Sequence, residues 1–285
     1  MHRGEDMNAS DVMSAPVHVI SPTETVAHAR HLMVKHHISR LLVMEGDVLS
    51  GIITKKDLAY RLRQSEPAWR RRPIDSIPVS VLAVPDPIVV APQTGIREIA
   101  GIFIEHTISS VPVFDGDHVI GIVTKSDLMK SALIRSLTRP VSDIMEDVVT
   151  VSRYHSLDHV IDVMIERNDK VVVINNDNAI VGIITETNLA FFDNEQKLSR
   201  MARRSLTIRR RKEPRAVRAR GLLFLAPVIA GDIMTSPVIT VPPATPLNQA
   251  VSTMNRHLIN SLVVVENSDI AGIIKRDDII REVAK

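Results

Sequence analysis

The chain has 285 residues, 45% of them hydrophobic and none of them cysteine, and a formal charge of +2. That length can bury a core and suits about two ordinary domains, and the lack of cysteine excludes disulfides, thiolate nucleophiles and cysteine-bound metals. The charge is uneven: residues 200–220 hold ten Lys or Arg and one Glu, leaving 25 basic against 32 acidic residues elsewhere, a net −7. The longest apolar stretch, GLLFLAPVIAG from Gly221, falls short of the ~20 residues of a membrane span. The first residues, MHRGEDMNAS, lack the basic-then-apolar order of a secretory signal, so a cytoplasmic location without membrane contact is expected.

Taken in chain order, Asp11 opens a short Asp-x-Met motif, and the alternating VHVI that follows predicts a strand. Thr25 is placed to cap an amphipathic helix over VAHARHLMVKHH, on which His36 and His37 are adjacent and cannot share one face as a zinc pair. RLLVME predicts a second strand, GDV a tight turn, and GIITKKDL from Gly51 a third strand that ends at Thr54 and runs into a helix. The same grammar then returns three times. The openings are DSI at Asp75, DIM at Asp143 and DIM at Asp232, and the octapeptides are GIVTKSDL from Gly121, GIITETNL from Gly182 and GIIKRDDI from Gly272. First strands are predicted at PIVV, VVTV and VITV, caps at Thr94, Ser156 and Thr245, and second strands at SVPVFD, KVVVIN and SLVVVE.

From opening Asp to octapeptide Gly the separation is 40, 46, 39 and 40 residues, so the second unit carries a six-residue insertion within SVLAVPDPIVVAP. Each unit is a β-α-β-β-α repeat of about 60 residues, which buries too little surface to stand alone. Glycine-to-glycine separations of 70, 61 and 90 residues pair unit one with two and unit three with four. The expected division is 1–64, 65–138, 139–198 and 229–285, with a basic linker over 199–228.

The β-α-β-β-α grammar, the Asp-x-Met opening and the G-h-h-T-x-x-D-[LI] octapeptide resemble the CBS domain, in four copies that span nearly the whole chain. The resemblance implies an α/β fold of the α+β type, with units joined two by two into Bateman modules (1–138 and 139–285) and the modules packed as a disc. Stand-alone archaeal proteins with four CBS domains and the γ subunit of AMP-activated protein kinase share that organisation. The resemblance further implies a regulatory sensor that binds AMP, ADP or ATP in the clefts between paired units and signals occupancy to a partner. S-adenosylmethionine and methylthioadenosine are the alternative adenosyl ligands, and no cofactor is implied. A ligand-driven change in the angle between paired units carries a signal only if the ligand binds the two conformations unequally.

In TKKD a hydroxyl at the strand end and an acid three residues on fit a helix capping box. The same groups fit a ligand, with the hydroxyl and the helix N–H groups for phosphate and the carboxylate for both hydroxyls of a ribose. By resemblance Asp57, Asp127 and Asp278 hold ribose, with Thr54 and Thr124 near the phosphate or ribose. Unit three departs with Thr185 followed by Asn188, an amide in place of the acid, and unit four with Lys275 in place of the Thr. These departures rank the sites of Asp57 and Asp127 first, Asp278 next and Asn188 last.

At the start of the second strand stand Arg40, Ser110, Lys170 and Ser261. The resemblance makes Arg40 and Lys170 the phosphate candidates, with Ser110 in the equivalent position. One basic residue per cleft favours a low-charge ligand such as AMP. The hydroxyls ahead of the first strand, Ser14 and Thr235, form a third contact region, in which Glu146 puts a negative charge in unit three. Val17 and Val238 are expected as apolar walls for adenine.

The 200–220 segment has two readings: a stretch that neutralises the phosphates of RNA or DNA, or an arginine-rich linker that pairs with the acidic body or a second copy of the chain. Its lack of aromatic residues counts against specific single-strand recognition and favours the linker. A smaller cluster, Arg61, Arg63 and Arg70 to Arg72, sits beside Trp69 in the first module. An enzyme is not expected, since the chain has no G-x-x-x-x-G-K-[ST], H-E-x-x-H or G-x-S-x-G motif. No metal site is expected, and a homodimer mate and a regulated protein complete the expected partners.

Overall fold

In each unit the second and third strands form an antiparallel hairpin whose tight turn uses left-handed backbone, at Gly46, Gly116, Asn178 and the Asn267–Ser268 pair. A computed structural model of the chain describes residues 7–64, 76–167, 170–191 and 228–285. The 200–220 segment, residues 65–75 and the side chains of 61–64 lie outside the described residues.

Unit one runs α1 (Ala9–Val12), β1 (Val19–Ile20), α2 (Val26–Lys35), β2 (Arg40–Glu45), β3 (Val48–Thr54) and α3 (Lys55–Gln64). Unit two runs α4 (Val79–Leu82), β4 (Val84–Pro85), α5 (Ile96–Glu105), β5 (Ser110–Asp115), β6 (His118–Thr124) and α6 (Lys125–Leu128). Unit three holds β7 (Thr150–Ser152), α7 (Leu157–Arg167), β8 (Val171–Ile174), β9 (Ile180–Ile184) and α8 (Glu186–Ala190). Unit four holds α9 (Ala230–Ile233), β10 (Thr240–Val241), α10 (Leu247–His257), β11 (Ser261–Glu266), β12 (Asp269–Lys275) and α11 (Arg276–Ala284).

The first strand lies parallel to the second in units one, three and four, as a helical crossover between them requires. In unit two it shrinks to one parallel bridge, Val90 with Val113. The expected caps hold at Thr25 and Ser156, which accept the N–H groups of His28 and His159 at 3.1 and 3.2 Å. At Thr94 and Thr245 they do not: those helices begin after Gly95 and Pro246, and the Thr94 hydroxyl accepts the Ala91 N–H in the preceding turn instead. The helix α2 stops at Lys35, so His36 and His37 lie past its end and the His36 ring sits 4.4 Å from that of His18. The stretch KSDLMKSAL is helical only over α6, because Ser131, a poor interior helix residue, opens a 3₁₀ turn over Ala132–Ser136.

The units interleave in pairs. The opening of each unit joins the last strand of its partner: Ser14 bridges Ile122, Thr235 bridges Ile183 and Glu146 bridges Ile273. In unit two the insertion does this work, since β4 pairs with β3 through Gly51 and Ile52. The pairs then meet through helices, α3 against α8 and α5 against α11. Phe103 and Ile99 of unit two share one apolar core with Ile279, Ile280 and Val283 of unit four, and Leu189 and Phe191 of unit three pack on the core of unit one. The four units therefore close a ring in the order one, two, four, three. Among the described residues no helix is long and apolar enough to cross a membrane.

Candidate functional site

The last strand of each unit delivers its end residue to the start of the following helix, and the capping geometry is built in all four copies. Thr54 donates its backbone N–H and hydroxyl to Asp57 Oδ2 at 2.9 and 2.6 Å, and Thr124 does the same to Asp127 Oδ2 at the same distances. The Asn188 amide oxygen takes the corresponding groups of Thr185 at 2.9 and 3.0 Å. Asp278 Oδ2 accepts the Lys275 N–H at 2.7 Å. The cap and a ligand therefore draw on the same side chains.

The remaining polar atoms meet the opening of the partner unit. Ser14 Oγ donates to Asp127 Oδ1 at 3.2 Å. Asn188 Nδ2 donates to Thr235 Oγ1 and to the Ile233 carbonyl, each at 2.9 Å. In the fourth unit the meeting is ionic: Glu146 accepts from Lys275 Nζ at 2.5 Å and from Arg281 at 2.7 Å, and Arg281 also reaches Asp278 Oδ1 at 2.9 Å. Burial works against the Glu146 charge, but the bonds from Lys275 and Arg281 hold its carboxyl down to about 2.

One cleft from each pair opens into a shared cavity of about 680 Å³ at the middle of the ring, a volume that suits a small-molecule ligand. Of the expected site residues, Ser14, Val17, Arg40, Thr124 and Asp127 line it from the first pair, and Thr185, Asn188, Thr235 and Val238 from the second. Thr54, Asp57, Ser110, Lys170, Lys275 and Asp278 do not line this cavity. The cause is the pairwise interleaving, which makes two clefts per pair and turns only one of them to the centre. Lys170 is thus separated from Arg40, the other phosphate candidate.

The cavity is more cationic than the sequence suggests. Arg40 and Lys55 of unit one, Lys130 of unit two and Arg276 of unit four all line it, which corrects the expectation of one basic residue per cleft. Arg40 Nη1 donates to the Ser109 carbonyl at 2.6 Å, and Arg276 Nη1 to Ser126 Oγ at 2.8 Å. The Lys55 ammonium sits over the Phe191 ring, 5.1 Å from its centroid. Burial, then the nearby Arg276 charge, bring the Arg40 guanidinium down to about 10 while Asp127 pulls the other way. Lys55 is lowered by burial and by Arg40. Sequence reading passed over Lys55 and Arg276, although both follow the strand-ending residue of the octapeptide directly, where Lys125 stands in unit two. Nothing in the sequence marks Lys130.

The CBS domain family model matches residues 9–64, 74–133, 141–194 and 230–285. A solved protein of Methanocaldococcus jannaschii, put forward as an archaeal homologue of g-AMPK, superposes with a TM-score of 0.78 at 20% identity, over 97% of this chain and 99% of that one. An uncharacterized conserved protein of Pyrococcus horikoshii superposes at 0.61 and 18% identity, over 97% and 100%. At those identities the likeness is one of fold. Among curated relatives, the CBS domain-containing protein YhcV of Bacillus subtilis is 26% identical over 42% of this chain and 82% of its own length. The A-adding tRNA nucleotidyltransferase of Geobacter sulfurreducens is 26% identical over 43% of this chain, which spans only 13% of that enzyme. With four matched copies interleaved two by two around a common cavity, the chain belongs to the CBS domain family.

Proposed function

We propose that the protein is a regulatory sensor that binds an adenosyl ligand, AMP, ADP or ATP, in the clefts of its central cavity and signals occupancy to a partner protein. The observation that carries this reading is the meeting of Ser14 and Asp127 from two units at 3.2 Å, in a cavity lined also by Val17 and Arg40. A carboxylate there can accept from both hydroxyls of a ribose, a guanidinium can pair with phosphate, and the valine offers an apolar wall to the base. Because the contacts come from different units, a ligand that fits one relative placement of the units better than another shifts the balance between them. The enzymes among the relatives share only a small part of their length with this chain, so their activities do not carry over.

Titration calorimetry of the nucleotide-stripped protein with AMP, ADP, ATP and S-adenosylmethionine tests the reading. Saturable binding of the adenine nucleotides is expected. Binding of S-adenosylmethionine alone would make it a sensor of that ligand instead, and binding of none of the four would overturn the proposal.

A further inference from the structure

Four cations drawn from three units converge on the cavity, and among the described residues Asp127 is the only carboxylate lining it. Lys125 does not line the cavity and is matched by Asp277 at 3.0 Å. Arg40, Lys55, Lys130 and Arg276 less Asp127 leave a formal +3, more than the roughly −1.5 to −2 of a single phosphate group. Like charges gathered in a partly desolvated space disfavour one another, and Arg276 acts so on Arg40, as Arg40 does on Lys55. The two guanidiniums are oriented by unit two, Arg40 on the Ser109 carbonyl and Arg276 on the Ser126 hydroxyl. Arg276 is held through Nη1, and a planar guanidinium fixed at one nitrogen suits phosphate oxygens.

We propose that Arg40, Lys55, Lys130 and Arg276 form one anion centre that selects a di- or triphosphate chain over a single phosphate, with Arg276 reaching from the second pair of units into the cleft of the first. The inference rests on the cavity being the ligand site but does not depend on an adenosine. Since Arg276 belongs to unit four, a phosphate chain held there links the two modules directly.

The test is titration at constant ionic strength with sodium tripolyphosphate and orthophosphate, and in parallel with ATP, AMP and adenosine. It compares wild-type protein with the Arg276→Gln and Lys130→Gln variants. Tripolyphosphate is expected to bind at least about ten-fold more tightly than orthophosphate, and each variant to lose about ten-fold for tripolyphosphate, the scale of one charge-assisted bond. Lys130 is exposed, so Lys130→Gln decides the matter even where Arg276→Gln fails to fold. Tripolyphosphate that binds no tighter than orthophosphate, or equally to wild type and variants, overturns the anion centre. Tight tripolyphosphate binding with ATP no tighter and adenosine unbound sinks the adenosyl reading instead and leaves the anion centre standing.

Discussion

Glu146 of unit three is bonded to Lys275 of unit four at 2.5 Å, at the place where Ser14 and Thr235 bring hydroxyls to their partner units. Glu146 occupies the place of Ser14 and Thr235, and Lys275 the place of the strand-ending threonine, so the two departures from the repeat answer each other. With Arg281 bonded to both Glu146 and Asp278, the groups that would grip a ligand are engaged among themselves. The fourth cleft is expected to take no nucleotide while this network stands. The double variant Glu146→Ser, Lys275→Thr restores the hydroxyls and should add one binding event in a calorimetric titration; an unchanged stoichiometry would count against the idea. The Glu146 side chain is 38% exposed, so the pair itself contributes only about 0–1 kcal/mol to stability.

The same network gives stability a pH dependence of definite sign. Burial, with Glu146 adding to it, pushes the Asp278 carboxyl up to about 7, whereas an unfolded aspartate titrates near ~3.9. The folded state thus holds the Asp278 proton more tightly, and its contribution is full below ~4 and lost as pH rises from about 4 to about 7. Glu146 has the opposite sign: its contribution is present above ~4.3 and is lost as pH falls toward 2. Asp278→Asn removes the first of these slopes. Melting temperatures recorded between about pH 5 and 7.5 should therefore fall for the wild type and stay level for the variant, and parallel curves would refute a burial-dominated shift.

The octapeptide glycines should be irreplaceable to different degrees. A Cβ on Gly272 would lie 2.8 Å from the Glu146 carbonyl oxygen, and one on Gly51 would lie 2.8 Å from the Val84 carbonyl oxygen. Both clashes are with backbone that pairs the units, so Gly272→Ala or Gly51→Ala should cost about 1–3 kcal/mol by overpacking. On Gly121 the added carbon meets the Met13 side chain, which can rotate, so Gly121→Ala should cost less. Denaturant midpoints of the three variants give the ranking; a Gly121→Ala cost equal to that of Gly272→Ala would show that the methionine is as fixed as the backbone. The Asp-x-Met opening and the octapeptide glycine are in this sense one device, since Met13 and Met234 cover the glycines of their partner units.

Strands, turns and repeat length were legible because they depend on neighbours in sequence. The apolar run of SVPVFD, the turn glycines Gly46 and Gly116 and the cap at Thr25 are local signals, and each reads the same in the folded chain. The pairing of units followed from the small size of one unit together with the spacing. The cavity did not, because closing the ring through α5 on α11 and α3 on α8 brings Arg276 beside Arg40 from 236 positions away, and no periodicity encodes that approach. The caps expected at Thr94 and Thr245 failed for a smaller reason, since Gly95 and Pro246 take the cap position one residue later and the helices begin after them.

Asp127 serves both the helix cap and the cavity, and unit three supplies the control that separates the two roles. The Asn188 amide oxygen caps Thr185 at 2.9 and 3.0 Å, nearly as Asp127 caps Thr124 at 2.9 and 2.6 Å. Asp127→Asn should therefore keep the cap, whose full loss in Asp127→Ala costs about 1 kcal/mol, while removing the charge-assisted bonds to a ribose, worth about 1.5–3 kcal/mol. Thermal melts should show Asp127→Asn close to wild type and Asp127→Ala lower, while calorimetry shows both losing about ten-fold or more in nucleotide affinity. If Asp127→Asn binds nucleotide like the wild type, the carboxylate is there for the helix and not for the ligand. The reverse change, Asn188→Asp, replaces a donor with an acceptor against the Ile233 carbonyl that Asn188 Nδ2 now serves at 2.9 Å. It should destabilise the fold rather than create a ribose site, because two acceptors facing each other leave both unsatisfied.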